Sequence, residues 1–152
     1  MVSVKTATIY TLPHIAHWLQ YSYGTPVKFP RSCPFGATLL SCLSKENITV
    51  PDRTMVKIVV NKNVVSTYGH TISANRINYF TKILVEELDR YIYDFVNAHR
   101  KSCGSVVAAI CLFQERLEFH EELYALDTIE RRYYRYKEKL KNKFHSSVSK
   151  KS

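Results

Sequence analysis

The chain has 152 residues, 45% of them hydrophobic, and a formal net charge of +9. Such length and apolar content suit one ordinary domain or two small ones with a buried core, and exclude a disordered chain. No apolar run is long enough to span a bilayer, and no basic segment followed by an apolar stretch and a small-residue cleavage site opens the chain. A cytoplasmic protein without a membrane partner is therefore expected.

In chain order, residues 7–10 are β-prone, and Thr11 is placed to cap a helix with Pro13 in its first turn that stops near Gly24. Pro26 and Pro30 bracket Val27, Lys28 and Phe29, which limits that piece to an edge strand or an extended loop. Residues 37–43 suit about two helical turns. Residues 55–60 are the best strand, β-branched and bounded by polar groups, and Asn61-Lys62-Asn63 would turn the chain after it.

From Ser73 the pattern is helical. Ile77, Phe80, Leu84, Leu88, Tyr91, Ile92 and Phe95 follow the helical period, giving one long helix or two broken near Asp89, with Lys82, Glu86 and Arg90 able to pair on the exposed face. Gly104 is a helix stop and Ser105 the next N-cap, opening a second helix over residues 106–119. A connector over residues 120–126 follows, with Tyr124 or Leu126 stapling the junction. Asp127 then caps a last helix, with Glu130 three positions on as a variant capping box, and residues 146–152 form a frayed polar tail. The expected fold class is α+β. A small α/β unit spans 1–66, and a helical bundle over 67–152 has the order of a tri-helical helix-turn-helix.

The last helix carries the strongest functional signal. Ile129, Tyr133, Tyr136, Leu140 and Phe144 recur at steps of three and four, a stripe that should face a core. Arg131, Arg135, Lys139 and Lys143 form another row, flanked by Arg132, Lys137 and Lys141. Residues 1–73 hold seven Lys/Arg against two Asp/Glu, residues 74–127 six against nine, and residues 128–152 nine against two. A basic face is often only a solvated one that aids solubility, but solubility needs no such segregation. Phosphates of a polyanion would turn the repulsion within the row into affinity by releasing counterions. Arg131, Arg132 and Arg135, near the helix start, are the candidates for reading base edges in the major groove of DNA. Lys137, Lys139, Lys141 and Lys143 would contact phosphates. Tyr134 between the arginines would touch a sugar or thymine methyl, or pack.

Evidence for catalysis is thin. His14 and His17 at i, i+3 suit a metal pair geometrically, but histidines so placed are far more often structural. Glu86, Glu87 and Asp89 splay over different sides of a helix, and the four glycines are scattered singly rather than grouped in a phosphate loop. Cys33, Cys42, Cys103 and Cys111 lack metal-module spacing and are expected as reduced thiols, with Cys111 in a core-forming apolar run. No catalytic residue, cofactor or metal is assigned.

The segments Thr8-Ile9-Tyr10-Thr11-Leu12-Pro13-His14-Ile15-Ala16-His17-Trp18-Leu19, Gly24-Thr25-Pro26-Val27-Lys28-Phe29-Pro30 and Asp127-Thr128-Ile129-Glu130-Arg131-Arg132-Tyr133-Tyr134-Arg135-Tyr136-Lys137 resemble, in layout, short basic proteins of Bacteroidota phages and mobile elements. The resemblance covers both ends of the chain. It implies a mobile-element origin and a cytoplasmic setting, and it brings no activity and no catalytic residue with it. The expectation is a non-enzymatic protein that binds double-stranded DNA, or alternatively RNA. The competing expectation is a phage structural or assembly protein, because eleven tyrosines favour a protein interface, including a homodimer seam between tyrosines of the last two helices.

Overall fold

A computed structural model describes residues 5–30 and 33–149, with side chains as far as His145. The fold is α+β, and its contacts divide it into two compact units, Met1–Val85 and Glu86–Ser152. The first contains β1 (Lys5–Thr11), α1 (Pro13–Tyr23), α2 (Phe35–Cys42), β2 (Leu43–Ser44), β3 (Thr54–Val60), α3 (Lys62–Tyr68) and β4 (Thr71–Ile72). After a single 3-10 turn at Ala74–Arg76, α4 (Ile77–Cys103) runs through the boundary. The rest of α4, α5 (Val106–Arg116) and α6 (Leu126–Ser149) form the second unit.

The sheet has the order β2-β4-β1-β3. Strand β1 pairs antiparallel with β3 from Lys5 opposite Val60 to Thr11 opposite Thr54, and parallel with β4 at Thr8 opposite Thr71. Being interior, β1 is buried from Ala7 to its end. Strand β3 instead alternates, with Val56 and Ile58 buried and Met55 and Lys57 exposed, so one of its faces is covered and the other meets water. Ile15, Trp18 and Leu19 of α1 and Phe35 and Leu39 of α2 complete the core of this unit.

Several local expectations change. Helix α1 begins behind Leu12 with no side-chain cap, because Thr11 stays in the sheet and Pro13 opens the helix without an N–H to satisfy. The proline-bracketed segment contributes one parallel bridge, Val27 to Ile58; the Val27 amide donates to the Lys57 carbonyl at 2.9 Å and its carbonyl accepts from Val59 at 2.7 Å. Residues 61–63, expected as a turn, instead open a helix. The Asn61 side chain accepts from the Asn63 amide at 3.0 Å and caps α3, a helix with no buried residue whose Val64 and Val65 disguise it as extended.

Strands β2 and β4, two residues each, are too short for a period to show. Backbone bonds place them: His70 donates to Ser44 at 3.2 Å, Thr8 to His70 at 2.8 Å and Ser73 to Cys42 at 2.7 Å. Because β4 belongs to the sheet, residues beyond 66 belong to the first unit, and the division falls at Val85/Glu86 inside α4.

Helix α4 is continuous through Asp89, with Leu84, Leu88, Ile92 and Val96 buried along one stripe. Its exposed ion pair joins Arg90 to Glu87, one turn away. Gly104 ends it at φ 93°, and the Ser105 hydroxyl caps α5 by accepting from the Ala108 amide at 3.0 Å. Helix α5 stops at Arg116 rather than near Phe119. There Glu118 turns left-handed (φ 56°) and the Phe119 amide donates to the Gln114 carbonyl at 2.8 Å, a Schellman-type end.

Cys111 is exposed, contrary to the expectation of a core position. The buried face of α5 is set by Ala109, Ile110 and Phe113, and a residue one past Ile110 and two before Phe113 points away from it. Of the expected frayed tail, Ser146 to Ser149 are helical and residues 150–152 lie outside the described residues.

Gly69 sits at φ 111°, and a Cβ there would overlap the Ser44 backbone carbonyl. Backbone on both sides leaves nothing to yield. Gly69→Ala is expected to destabilise the protein by about 3 kcal/mol, seen as a lower urea midpoint at unchanged slope.

Candidate nucleic-acid interface

Helix α6 starts one residue before the expected cap. The Leu126 amide donates to both Glu121 oxygens at 3.0 and 3.1 Å. Gln114 of α5 holds that carboxylate at 2.9 Å and donates also to the Tyr124 carbonyl at 3.0 Å. The connector itself, stapled by buried Tyr124 against Phe119, therefore supplies the cap. Asp127 stands within the first turn, where its charge suits the exposed amide ends.

The apolar stripe packs only in its first half. Ile129 and Tyr133 are fully buried and Tyr136 is half-buried, whereas Leu140 is 38% and Phe144 68% exposed. Every residue from Lys137 to His145 is exposed, so α6 outruns the surface that it packs on. The Tyr133 hydroxyl donates to Asn97 at 2.7 Å, and its ring and that of Tyr136 lie 5.6 and 5.2 Å from the ring of Tyr93. Tyr124, Tyr133 and Tyr136 are thus engaged inside their own unit. Tyr134 is the outward tyrosine of α6, 46% exposed.

The cations separate into two groups. Arg132 does not face outward: its Nη2 lies 2.9 Å from Asp89 Oδ2 and its Nε donates to Oδ1 at 3.0 Å, a two-pronged pair across α4 and α6. Burial raises the Asp89 carboxyl above the ordinary carboxylate range, against the lowering pull of the Arg132 charge and hydrogen bond. Burial, helped by the Asp89 charge, also holds the Tyr124 phenol above its usual range. Lys139 lies 3.9 Å from Glu86 with both side chains more than half exposed, a contact of small energetic weight.

Arg131, Arg135, Lys137, Lys141 and Lys143 are exposed and form no ion pair among the described residues. The Arg131 Nε donates to the Asp127 carbonyl at 3.4 Å. A four-residue step overshoots a turn by about 40°. The row from Arg131 therefore winds around α6, which is how Lys139 comes to face α4.

The two acids expected as a capping box stand beside the arginines instead. Asp127 and Glu130 line a shallow depression of about 500 Å³ together with Arg131, Tyr134 and Arg135. Their i, i+3, i+4 spacing was the available signal. Beyond Tyr136, by contrast, Lys137, Lys139, Lys141 and Lys143 accompany a single acid, Glu138. The positive potential is accordingly strongest along the distal half.

Among the described residues no group of three or more His, Cys, Asp or Glu side chains is placed to hold a metal, the histidines of α1 included. No helix among them is long and apolar enough to cross a membrane. On β3, Lys57 donates to the Thr8 hydroxyl at 2.7 Å. Comparison with protein-family models, characterised proteins and solved structures gave no match.

Arg132→Gln is expected to lower stability by about 1–3 kcal/mol, since it strands a half-buried carboxylate. It should also raise the Asp89 midpoint further, followed by NMR titration of the carboxyl carbon. The sign follows from linkage. A folded-state value already above the ordinary 3.8 means that the folded chain binds this proton more tightly than the unfolded one. The contribution of Asp89 is thus fully present below that ordinary value and is lost as pH rises through the raised one.

Proposed function

We propose that this is a non-enzymatic nucleic-acid-binding protein that engages double-stranded DNA through the outward side of α6. One observation carries the reading: five exposed cations, Arg131, Arg135, Lys137, Lys141 and Lys143, have no ion pair among the described residues and share one helix, with Arg131 and Arg135 on the side opposite its packed face. A helix fits the major groove of B-form DNA, and cations that are not already neutralised release counterions when they meet phosphate.

The two halves of α6 divide the work. Arg131 and Arg135 lie in the packed half, whose position is best defined, and are the base-reading candidates. Asp127 and Glu130 beside them disfavour phosphate at that end, and a carboxylate in the groove accepts from cytosine N4. Lys137, Lys141 and Lys143 in the projecting half track the backbone, with Lys139 joining them at the expense of a weak contact to Glu86. Arg132 supports the helix and reads nothing. A phage or mobile-element protein acting in the cytoplasm, as the layout of its two ends implies, is the setting proposed.

Retention of duplex DNA in an electrophoretic shift assay is expected to fall steeply between about 50 and 200 mM salt. The double variant Arg131→Glu, Arg135→Glu should abolish retention with far-ultraviolet circular dichroism and Tm unchanged, and retention that persists would place the site elsewhere. Lys141→Ala with Lys143→Ala should weaken all sequences alike and lower the logarithmic salt slope by about 2.

A further inference from the structure

Helix α5 is apolar nearly all round. Residues 106–113 contain no charged or strongly polar side chain. Ala109, Ile110 and Phe113 face inward, yet Val107 is 43% exposed, Cys111 is exposed, and Ala108 and Leu112 are half-buried beside them. These four lie at i, i+1, i+4 and i+5, which is a second stripe, opposite the first. A helix apolar on both sides is normally covered on both.

The charges at the two ends of this stripe differ in sign. Arg100 and Lys101, exposed in the last turn of α4, precede its start, while exposed Glu115 and Glu118 close it. Arg116, also at that end, is turned to His99, donating to Nε2 at 3.2 Å. The surface is therefore complementary to itself when turned end for end, which is the requirement of a twofold contact. Antiparallel helix dipoles add to the same preference.

We infer that the outward face of α5 is a homodimer contact, in which two copies of α5 cross antiparallel about a twofold axis at Cys111. Cys111 is the middle residue of Val106–Arg116, so a crossing there opposes Glu115 of each copy to the Val107 end of the other, within side-chain reach of Arg100 and Lys101. Ala108 and Cys111 are small enough for close approach. Helix axes packed at about 8–10 Å, with Cα atoms about 2.3 Å from each axis, leave about 3–5 Å between facing Cα atoms at the crossing. That span overlaps the range in which two cysteines are neighbours. The inference rests on α5 and not on the DNA-binding reading of α6.

The test uses the full chain under reducing conditions. Sedimentation velocity should show a concentration-dependent dimer, and a short bis-maleimide should join two copies through Cys111, a product that Cys111→Ser erases. Val107→Lys should weaken dimerisation by at least about tenfold with circular dichroism unchanged. Glu115→Lys should weaken it too, and adding Arg100→Glu and Lys101→Glu should restore it. A chain that stays monomeric, a cross-link that survives Cys111→Ser, or a dimer indifferent to Val107→Lys overturns the inference. So does a charge swap without rescue.

Discussion

The orientation of α6 depends on two directional contacts with α4, the Arg132 pair with Asp89 and the Tyr133 hydrogen bond to Asn97. An apolar stripe alone fixes the roll of a helix loosely, because hydrophobic burial has no direction. A two-pronged ion pair on one flank and a hydroxyl bond on the other do have direction, and their partners on α4 lie eight residues, a little over two turns, apart. Roll and axial position are thereby set together. Asp89 loses solvation in this arrangement, as the upward shift of its carboxyl records, and the return is a helix that presents Arg131 and Arg135 to solvent.

A second constraint comes from length. Helix α6 has 24 residues, but among those with described side chains the buried positions end at Tyr133 and the half-buried ones at Tyr136. The remaining turns depend on intrinsic helix preference and on continuity with the capped, packed part, while their lysines repel one another at one-turn spacing. A polyanion laid along them would convert that repulsion into attraction, which gives the projecting half a physical reason to exist. The Glu121–Gln114 cap belongs to the same scheme: it ties the start of α6 to α5.

Much of the fold was legible in local chemistry. The β-branched run of β3, the Pro13 start and Gly24 stop of α1, the Gly104 and Ser105 punctuation and the period of α4 all follow from one or two neighbouring residues. Helix α3 was missed because Asn61 serves equally as a turn residue and as a cap, and valines follow it. Strands β2 and β4 exist because distant backbone groups meet near Gly69, whose missing Cβ permits the approach to Ser44. No local pattern encodes such a meeting.

By itself the sequence determined which side of each long helix is oily, the Gly24 stop of α1 and the Gly104–Ser105 break between α4 and α5, and that positive charge gathers at the end of the chain. Periodicity and capping act within a few residues, so these features do not wait for the rest of the fold. Only the tertiary structure decided which members of those patterns are used. Arg132 was drawn into a pair with a carboxylate 43 residues away. Cys111 was turned outward because an unbroken apolar run carries no phase of its own, and Leu140 and Phe144 were left exposed because the packing surface ended before the helix did. The physical reason is common to all three: a side chain's direction about its own axis is local, but what it meets there belongs to another part of the chain.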